Sequence, residues 1–167
     1  PRAPDIASGD RGTYASLGED RARGWAYEKK SDKREETSVS GSMTTAGITS
    51  LLIAKSILGK HLAKKESEKV DQCIWDGFAW LLSKWTMAGN PDSRRSHYYY
   101  LYGIERVATL GLYEKIGKHY WYREGAEVLV RQQTGEGSWD TKLEVQPSNI
   151  MDTCFALLFL KRGTVPI

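Results

Sequence analysis

The segment from His97 to Arg106 carries the side chains best suited to binding a ligand. It places four tyrosines within five positions, at 98, 99, 100 and 102. In a helix, Tyr98, Tyr102 and Arg106 follow one another at steps of four residues and share a face. An aromatic face of this kind could hold an apolar chain or stabilise a cation. Alternatively, the tyrosines pack between helices while their hydroxyls reach water, and the sequence favours neither interpretation.

Composition and charge argue against several classes of protein. The formal net charge is +3, from 24 basic and 21 acidic residues, and the two signs are interspersed. No basic stripe is therefore present that would bind nucleic acid, and no apolar run approaches the roughly 18 residues of a membrane span. Cys73 and Cys154 belong to no CxxC or Cys/His ligand run and are expected as small buried residues, with a disulfide between them left open. A first residue Pro1 suggests a processed product or a piece of a longer protein.

Hydrophobic periodicity predicts an all-α fold. Apolar residues recur at helical spacing in five segments, and strand-type alternation is weak everywhere. Ser67 and Ser96 are expected to cap the second and third helices, while Gly59 and Gly111 are expected to end the first and third. The predicted helices span residues 43–58, 68–87, 97–110, 120–133 and 149–161, with 119 and 148 as alternative first residues of the last two.

Residues 1–42 differ from the rest of the chain. They are rich in Gly, Ser, Asp and Lys and show neither helical nor strand periodicity. We expect a long irregular N-terminal arm, followed by one helical domain over residues 43–167. Within the arm, the segment Gly24-Trp25-Ala26-Tyr27 is expected to pack onto the helices.

The helices fall into two types that alternate with a period near 50 residues. The run from Gly77 to Leu82 matches the run from Gly125 to Val130, a step of 48 residues from 77 to 125. The opening residues 43–46 and 151–154 also resemble each other, as Met-Thr-Thr-Ala and Met-Asp-Thr-Cys. Such a period predicts stacked αα-hairpins that bury their apolar faces against their neighbours.

A sequence motif follows the fourth predicted helix. Gln133, Gly137 and Trp139 have the spacing Q-x3-G-x-W, and Leu129 lies four residues before the glutamine. This motif resembles the QW motif of squalene and oxidosqualene cyclases and of protein prenyltransferase β-subunits. We interpret its residues as structural. The glutamine amide can pair with backbone groups at the helix end while stacking on the indole, and the glycine permits a turn with positive φ.

The resemblance implies an α/α toroid, in which about twelve helices form two concentric rings. Five predicted helices would supply about half of such a toroid. An open half-ring would expose the apolar flanks of its end helices. We therefore expect a missing upstream helical half, a protein partner or self-association.

The catalytic signatures of these enzymes are missing. The sequence contains no Asp-x-Asp-Asp acid motif, no aspartate-rich diphosphate motif and no thioester Cys-Gly-Glu-Gln. Protein prenyltransferases hold zinc with an Asp-x-Cys pair and a histidine, and the resemblance would give these roles to Asp152, Cys154 and His97. Asp152 also suits the first turn of a helix on electrostatic grounds. We predict no catalytic residue, metal or other cofactor, with zinc at these three residues as the less favoured alternative.

Two functions are consistent with these observations. The first is a non-catalytic binding or interaction module with an aromatic concave face, for a protein partner or an apolar, isoprenoid-type ligand. The alternative is the C-terminal part of a terpene cyclase or zinc prenyltransferase whose main catalytic residues lie outside this chain. The candidate pocket residues are His97, Tyr98, Tyr102, Arg106, Asp152, Cys154 and Trp25.

Overall fold

The computed structural model describes residues 22–27, 39–141 and 149–161. All regular structure within these ranges is helical, which confirms the predicted all-α class. The helices are α1 (Gly41–Leu58), α2 (Lys64–Ser83), α3 (His97–Leu110), α4 (Trp121–Gln132) and α5 (Asn149–Leu160). None of these five helices has the length and apolar character needed to cross a membrane.

Ser40 sets the N-terminal end of α1. Its hydroxyl accepts a hydrogen bond from the Met43 amide at 3.4 Å, which satisfies one of the free amides of the first turn. The helix therefore begins at Gly41, two residues before its predicted start at Met43. Gly59 follows the last residue of α1, as predicted.

The predicted cap of α2 is wrong. The helix begins at Lys64, so Ser67 lies inside it. The Ala63 amide donates a hydrogen bond to the Glu66 carboxylate at 3.2 Å. This bond gives a partner to a backbone N–H at the start of the helix. The helix ends at Ser83, four residues before the predicted limit of 87.

Helices α1, α3 and α5 form a row with α3 in the middle. Helix α3 packs against both α1 and α5, and α2 packs against α1. Helix α4 contacts α3 and α5. The close approach of α1 and α3 requires Gly103, because a Cβ added there would lie 2.2 Å from the Thr45 hydroxyl oxygen.

Two glycines that match in sequence, Gly77 on α2 and Gly125 on α4, also resemble each other in packing. A Cβ added at Gly77 would lie 2.7 Å from Ile48 of α1, and one added at Gly125 would lie 2.3 Å from the Phe159 ring of α5. Both Ile48 and Phe159 are fully buried. Each glycine therefore lets a core side chain of a neighbouring helix approach the backbone of α2 or α4.

Trp25 anchors the described part of the arm. Its ring lies against Gly47 of α1 and Gly77 of α2, where added Cβ atoms would come within 2.4 and 2.8 Å of the ring. Its backbone amide donates a hydrogen bond to the Thr44 hydroxyl at 3.1 Å. Tyr27 is 81% exposed, so the predicted packing is wrong for this side chain. The space beside Gly47 and Gly77 is filled by the indole of Trp25.

Candidate functional site

A cavity of about 490 Å³ lies at the N-terminal end of α3. Two predicted site residues, His97 and Tyr98, form part of its wall. The loops that follow α2 and α4, with the last residue of α4, supply the remainder: Ala88, Gly89, Asn90, Ser93, Arg94, Gln132, Asp140 and Thr141. We call this cavity the α3 cleft.

Asn90 holds the first loop in place. Its side-chain oxygen accepts a hydrogen bond from the Ser42 amide at 2.9 Å, and its NH₂ group donates to the Ser42 hydroxyl at 3.0 Å and to the Arg95 carbonyl at 2.9 Å. The Gly41 amide donates to the Pro91 carbonyl at 3.0 Å. These bonds attach the loop after α2 to the first turn of α1, so one wall of the cleft is fixed.

The second loop is attached to the first turns of α5. The Trp139 amide donates to the Thr153 hydroxyl at 3.0 Å, and the Thr141 amide donates to the Asp152 carboxylate at 2.9 Å. The hydroxyl of Thr141 is buried and forms no hydrogen bond with the described residues. Because a buried polar group without a partner is costly, this hydroxyl is a candidate to bind a ligand in the cleft.

The motif residues brace the end of α4. The Gln133 side-chain NH₂ donates to the Gly137 carbonyl at 3.0 Å, and Gly137 has a φ of +80°, the positive value expected of it. The Trp139 side chain is buried, and its indole N–H donates to the Leu129 carbonyl at 2.9 Å. All three residues thus connect the helix end to the turn that follows it.

His97 is a buried residue in the wall of the cleft, and its ring contacts both a backbone carbonyl and a neighbouring tyrosine. Its Nε2 lies 2.8 Å from the Met87 carbonyl and donates to it, since a carbonyl can only accept. The ring stacks on that of Tyr98 at 5.0 Å. Burial lowers the pKa of His97. The hydrogen bond to the Met87 carbonyl and the charge of Asp152 act in the opposite direction but do not outweigh it. The imidazole is therefore neutral at physiological pH and leaves Nδ1 as an acceptor.

Tyr98 offers the cleft a protonated phenol. Its side chain is only 3% exposed, and its hydroxyl donates to the Gln132 side-chain oxygen at 3.3 Å. Burial raises the pKa of Tyr98 to about 12, and the charges of Asp152 and Asp140 add to the effect. The hydroxyl therefore stays protonated at physiological pH and does not act as a base.

The face predicted from Tyr98, Tyr102 and Arg106 is divided between two environments. Tyr102 lies against Phe155 of α5 with ring centres 5.5 Å apart, and the Arg106 guanidinium lies over the Tyr102 ring at 5.4 Å. Arg106 also donates two hydrogen bonds to the buried Glu105 carboxylate, at 2.5 and 2.7 Å. Of these three residues, only Tyr98 lines the cleft.

The two remaining tyrosines of the run pack against other parts of the protein. The Tyr99 ring lies 5.2 Å from that of Phe155, so α3 and α5 meet through aromatic contacts. Tyr100 is completely buried, and its hydroxyl has no hydrogen-bond partner in the described part of the chain. For Tyr99, Tyr100 and Tyr102, the packing interpretation is therefore the better one.

The zinc alternative gains no support from the positions of its residues. Asp152 is 4% exposed, whereas Cys154, two residues later on α5, is exposed. In a helix these positions lie about 200° apart. Within the described ranges, no three His, Cys, Asp or Glu side chains are close enough to hold a metal ion.

Besides Tyr102 and Arg106, three more predicted residues fall outside the cleft wall. Asp152 lies beneath it and supports the Thr141 backbone. Cys154 is on the exposed side of α5, so the expectation of a buried residue is wrong. Trp25 packs between α1 and α2 and is not among the residues that line the cleft.

Sequence reasoning missed most of the polar wall, namely Asn90, Arg94, Gln132, Asp140 and Thr141. A usable signal was present in the 48-residue step. A step of 48 residues aligns residues 89–91 with residues 137–139. The loops that follow α2 and α4 therefore occupy matching positions in the repeat. Gly and Pro in these loops signal a turn without indicating which surface the turn contributes to.

The α3 cleft presents several kinds of polar group. Its wall combines a phenol, a neutral imidazole, amide and hydroxyl groups, the cation of Arg94 and the carboxylate of Asp140. Comparison with protein-family models, with curated proteins and with solved structures finds no significant match. The geometry of the cleft is therefore the basis for any functional conclusion.

Proposed function

We propose that the chain is a non-catalytic binding module, built from helical repeats of the QW type, that holds a small polar ligand in the α3 cleft. The observation that carries this proposal is the placement of His97 and Tyr98 in the wall of a 490 Å³ cavity between two tethered loops. Pockets of several hundred cubic ångströms with a few convergent polar groups are typical ligand sites.

The burial pattern of the row supports a repeat. When α1, α3 and α5 are aligned on their first residues, the fourth and eighth residues of all three helices are buried. The fourth residues are Thr44, Tyr100 and Asp152, and the eighth are Ile48, Ile104 and Ala156. Recurrence of one buried face in every second helix is what stacked αα-hairpins require. Five helices correspond to part of an α/α toroid.

The contacts of Gln133, Gly137 and Trp139 support the same relationship. In the repeats of squalene cyclases and protein prenyltransferases, this motif is expected to brace a helix end against the following turn. The bonds from Gln133 to Gly137 and from Trp139 to Leu129 have that character. The proposed toroid relationship rests on these bonds together with the burial pattern.

The lining favours a polar ligand over an isoprenoid chain. The lining includes the cation of Arg94 and the carboxylate of Asp140, and the buried Thr141 hydroxyl forms no hydrogen bond within the described ranges. A purely apolar ligand would leave such groups desolvated without new hydrogen bonds. Nothing in the described residues favours the alternative of an isoprenoid enzyme, because the phenol of Tyr98 and the imidazole of His97 are both held in neutral hydrogen-bonded forms.

Gly89 allows a sharp test. It lines the cleft, and a Cβ added there meets nothing within 4 Å, so Gly89→Phe should fill the cleft without disturbing the fold. Gly135 also has open space at its Cβ but is not among the cleft-lining residues, so Gly135→Phe is the matched control. Ligand-observed NMR would screen amino acids, monosaccharides and small dicarboxylates, with farnesyl diphosphate as the isoprenoid comparison.

We expect at least one polar compound to bind the natural protein and the Gly135→Phe variant, but not the Gly89→Phe variant. Binding that survives in both variants would place the site elsewhere. Binding of farnesyl diphosphate alone would contradict the proposed ligand class, and turnover of it would contradict the non-catalytic assignment.

A further inference from the structure

The α3 cleft carries charges of both signs on two different walls. Arg94 belongs to the loop after α2, and Asp140 belongs to the loop after α4. Among the ion pairs of the described residues, none joins these two side chains. A ligand in the cavity can therefore lie between a cation and a carboxylate.

The wall formed by Tyr98 lies in the field of two carboxylates. Burial raises the pKa of Tyr98, and the charges of Asp152 and Asp140 act in the same direction. Such an effect requires both carboxylates to lie near the phenol. Asp152 lies beneath the wall, where it accepts the Thr141 amide at 2.9 Å, and Asp140 lines the cavity. Since the neighbouring imidazole of His97 is neutral, this part of the cleft favours a positively charged group.

Arg94 gives the other wall the opposite preference. Its side chain is exposed, and it takes part in none of the ion pairs found within the described ranges. The charges that act on Tyr98 and His97 are carboxylates and not this guanidinium. A guanidinium binds a carboxylate through two parallel hydrogen bonds, so this wall favours the negative end of a ligand.

The size of the cavity limits the distance between the two ends of the ligand. A compact space of 490 Å³ is roughly 10 Å across. Hydrogen bonds of about 3 Å at both walls leave roughly 4 Å between the charged groups of the ligand. Standard bond lengths place the ammonium and the carboxylate of an α-amino acid about 3 Å apart.

We propose that the ligand of the α3 cleft is a free α-amino acid, with its carboxylate at Arg94 and its ammonium at Asp140. This inference rests on the proposed binding function and names the class of ligand. A carboxylate accepts several hydrogen bonds, so Asp140 can hold an ammonium in addition to its contact within the chain. Monosaccharides lack both charges, and a dicarboxylate would bring a second negative charge toward Asp140.

Three forms of one ligand separate the two charged contacts. The tightest binder among L-serine, L-glutamine and L-phenylalanine is compared with its carboxamide, which lacks the carboxylate, and with its N-acetyl derivative, which lacks the ammonium. Isothermal titration calorimetry measures the three dissociation constants. We expect both derivatives to bind at least about tenfold more weakly than the free amino acid, because each loses a charge-assisted contact.

Matched substitutions assign each contact to its wall. Arg94→Gln should weaken binding of the amino acid at least about fivefold but leave its carboxamide unaffected. Asp140→Asn should weaken the amino acid similarly but leave the N-acetyl derivative unaffected. The controls are Arg95→Gln and Glu136→Gln, which change exposed residues near these positions that do not line the cleft, and both should bind the amino acid normally.

The outcomes distinguish the ligand class from the binding function. A monosaccharide or dicarboxylate that binds the natural protein but not Gly89→Phe, with no amino acid bound, would refute the ligand class and leave the proposed function standing. Equal affinity for the amino acid and both derivatives would do the same. Amino-acid binding that is unchanged in Gly89→Phe would count against the cleft itself, and so against both proposals. An equal loss in Arg94→Gln and Arg95→Gln would rule out the contact with Arg94.

Discussion

The indole nitrogen of Trp139 and the carbonyl oxygen of Leu129 are joined by a hydrogen bond of 2.9 Å that closes the turn after α4. The indole is 2% exposed, so this bond lies in the interior. It positions the chain that continues to Asp140 and Thr141, two residues of the cleft wall. A structural bond at the end of a helix therefore also shapes the candidate binding site.

Replacing Trp139 by phenylalanine removes the N–H donor but keeps an aromatic ring. We expect the free energy of unfolding to fall by about 1–3 kcal/mol, from the lost hydrogen bond and the smaller ring. Urea denaturation followed by circular dichroism measures the change. Gln133→Ala is the comparison, since the exposed amide bond to Gly137 should contribute less than about 1 kcal/mol. A larger loss for Gln133→Ala than for Trp139→Phe would contradict this account of the motif.

Gly125→Ala should destabilise the contact between α4 and α5. The added Cβ would lie 2.3 Å from the Phe159 ring, so the ring or the helix must move, at a cost of about 1–3 kcal/mol. Gly135→Ala, where nothing lies within 4 Å, should change stability by less than about 0.5 kcal/mol. Adding Phe159→Leu to Gly125→Ala should cost less than the two separate losses combined. Full additivity in denaturant unfolding would show that the two residues are not in contact.

The stability of the protein should depend on pH through His97. Burial lowers the pKa of His97 in the folded state, so the unfolded chain binds the proton more readily below the ordinary value of about 6.5. Stability is therefore fully present above that value and is lost as the pH falls toward the lowered pKa, at no more than about 1.4 kcal/mol per pH unit.

Unfolding of the natural protein and of His97→Gln between about pH 5.5 and 7.5 checks this sign. The natural protein should lose stability toward the acidic end, and the variant should show a smaller slope. An equal slope in both proteins would mean that another group causes the pH dependence.

The helical elements could be predicted from the sequence because their apolar residues recur at a regular spacing. Helix α3 has the predicted limits of His97 and Leu110, and Gly111 follows its last residue as predicted. The predicted cap is wrong, because Ser96 has a φ of +62° and its side chain forms no capping hydrogen bond. The start of α2 could not be predicted from Ser67, because the helix begins one turn earlier, at Lys64, where the Glu66 carboxylate accepts from the Ala63 amide. Competing local contacts of this kind leave no distinct sequence pattern.

The candidate site was predictable only in its helical part. His97 and Tyr98 were identified because they begin an unusual aromatic run, but Arg106 was assigned to the same site and instead binds its neighbour Glu105. Helical spacing places residues on one face without showing how far along the axis a cavity extends. Asn90 and Thr141 come from loops, whose path depends on bonds to α1 and α5 that span 48 and 11 residues of sequence.

The most direct test of the proposed binding function maps the ligand onto the protein. The best polar compound from the screen would be titrated into isotope-labelled protein while the backbone amide signals are followed by NMR. Binding in the α3 cleft predicts the largest changes at Gly89, Ser93, Tyr98 and Thr141, which line it, and loss of these changes in Gly89→Phe. Changes confined to other surfaces, or unaffected by Gly89→Phe, would contradict the assignment of the cleft as the binding site.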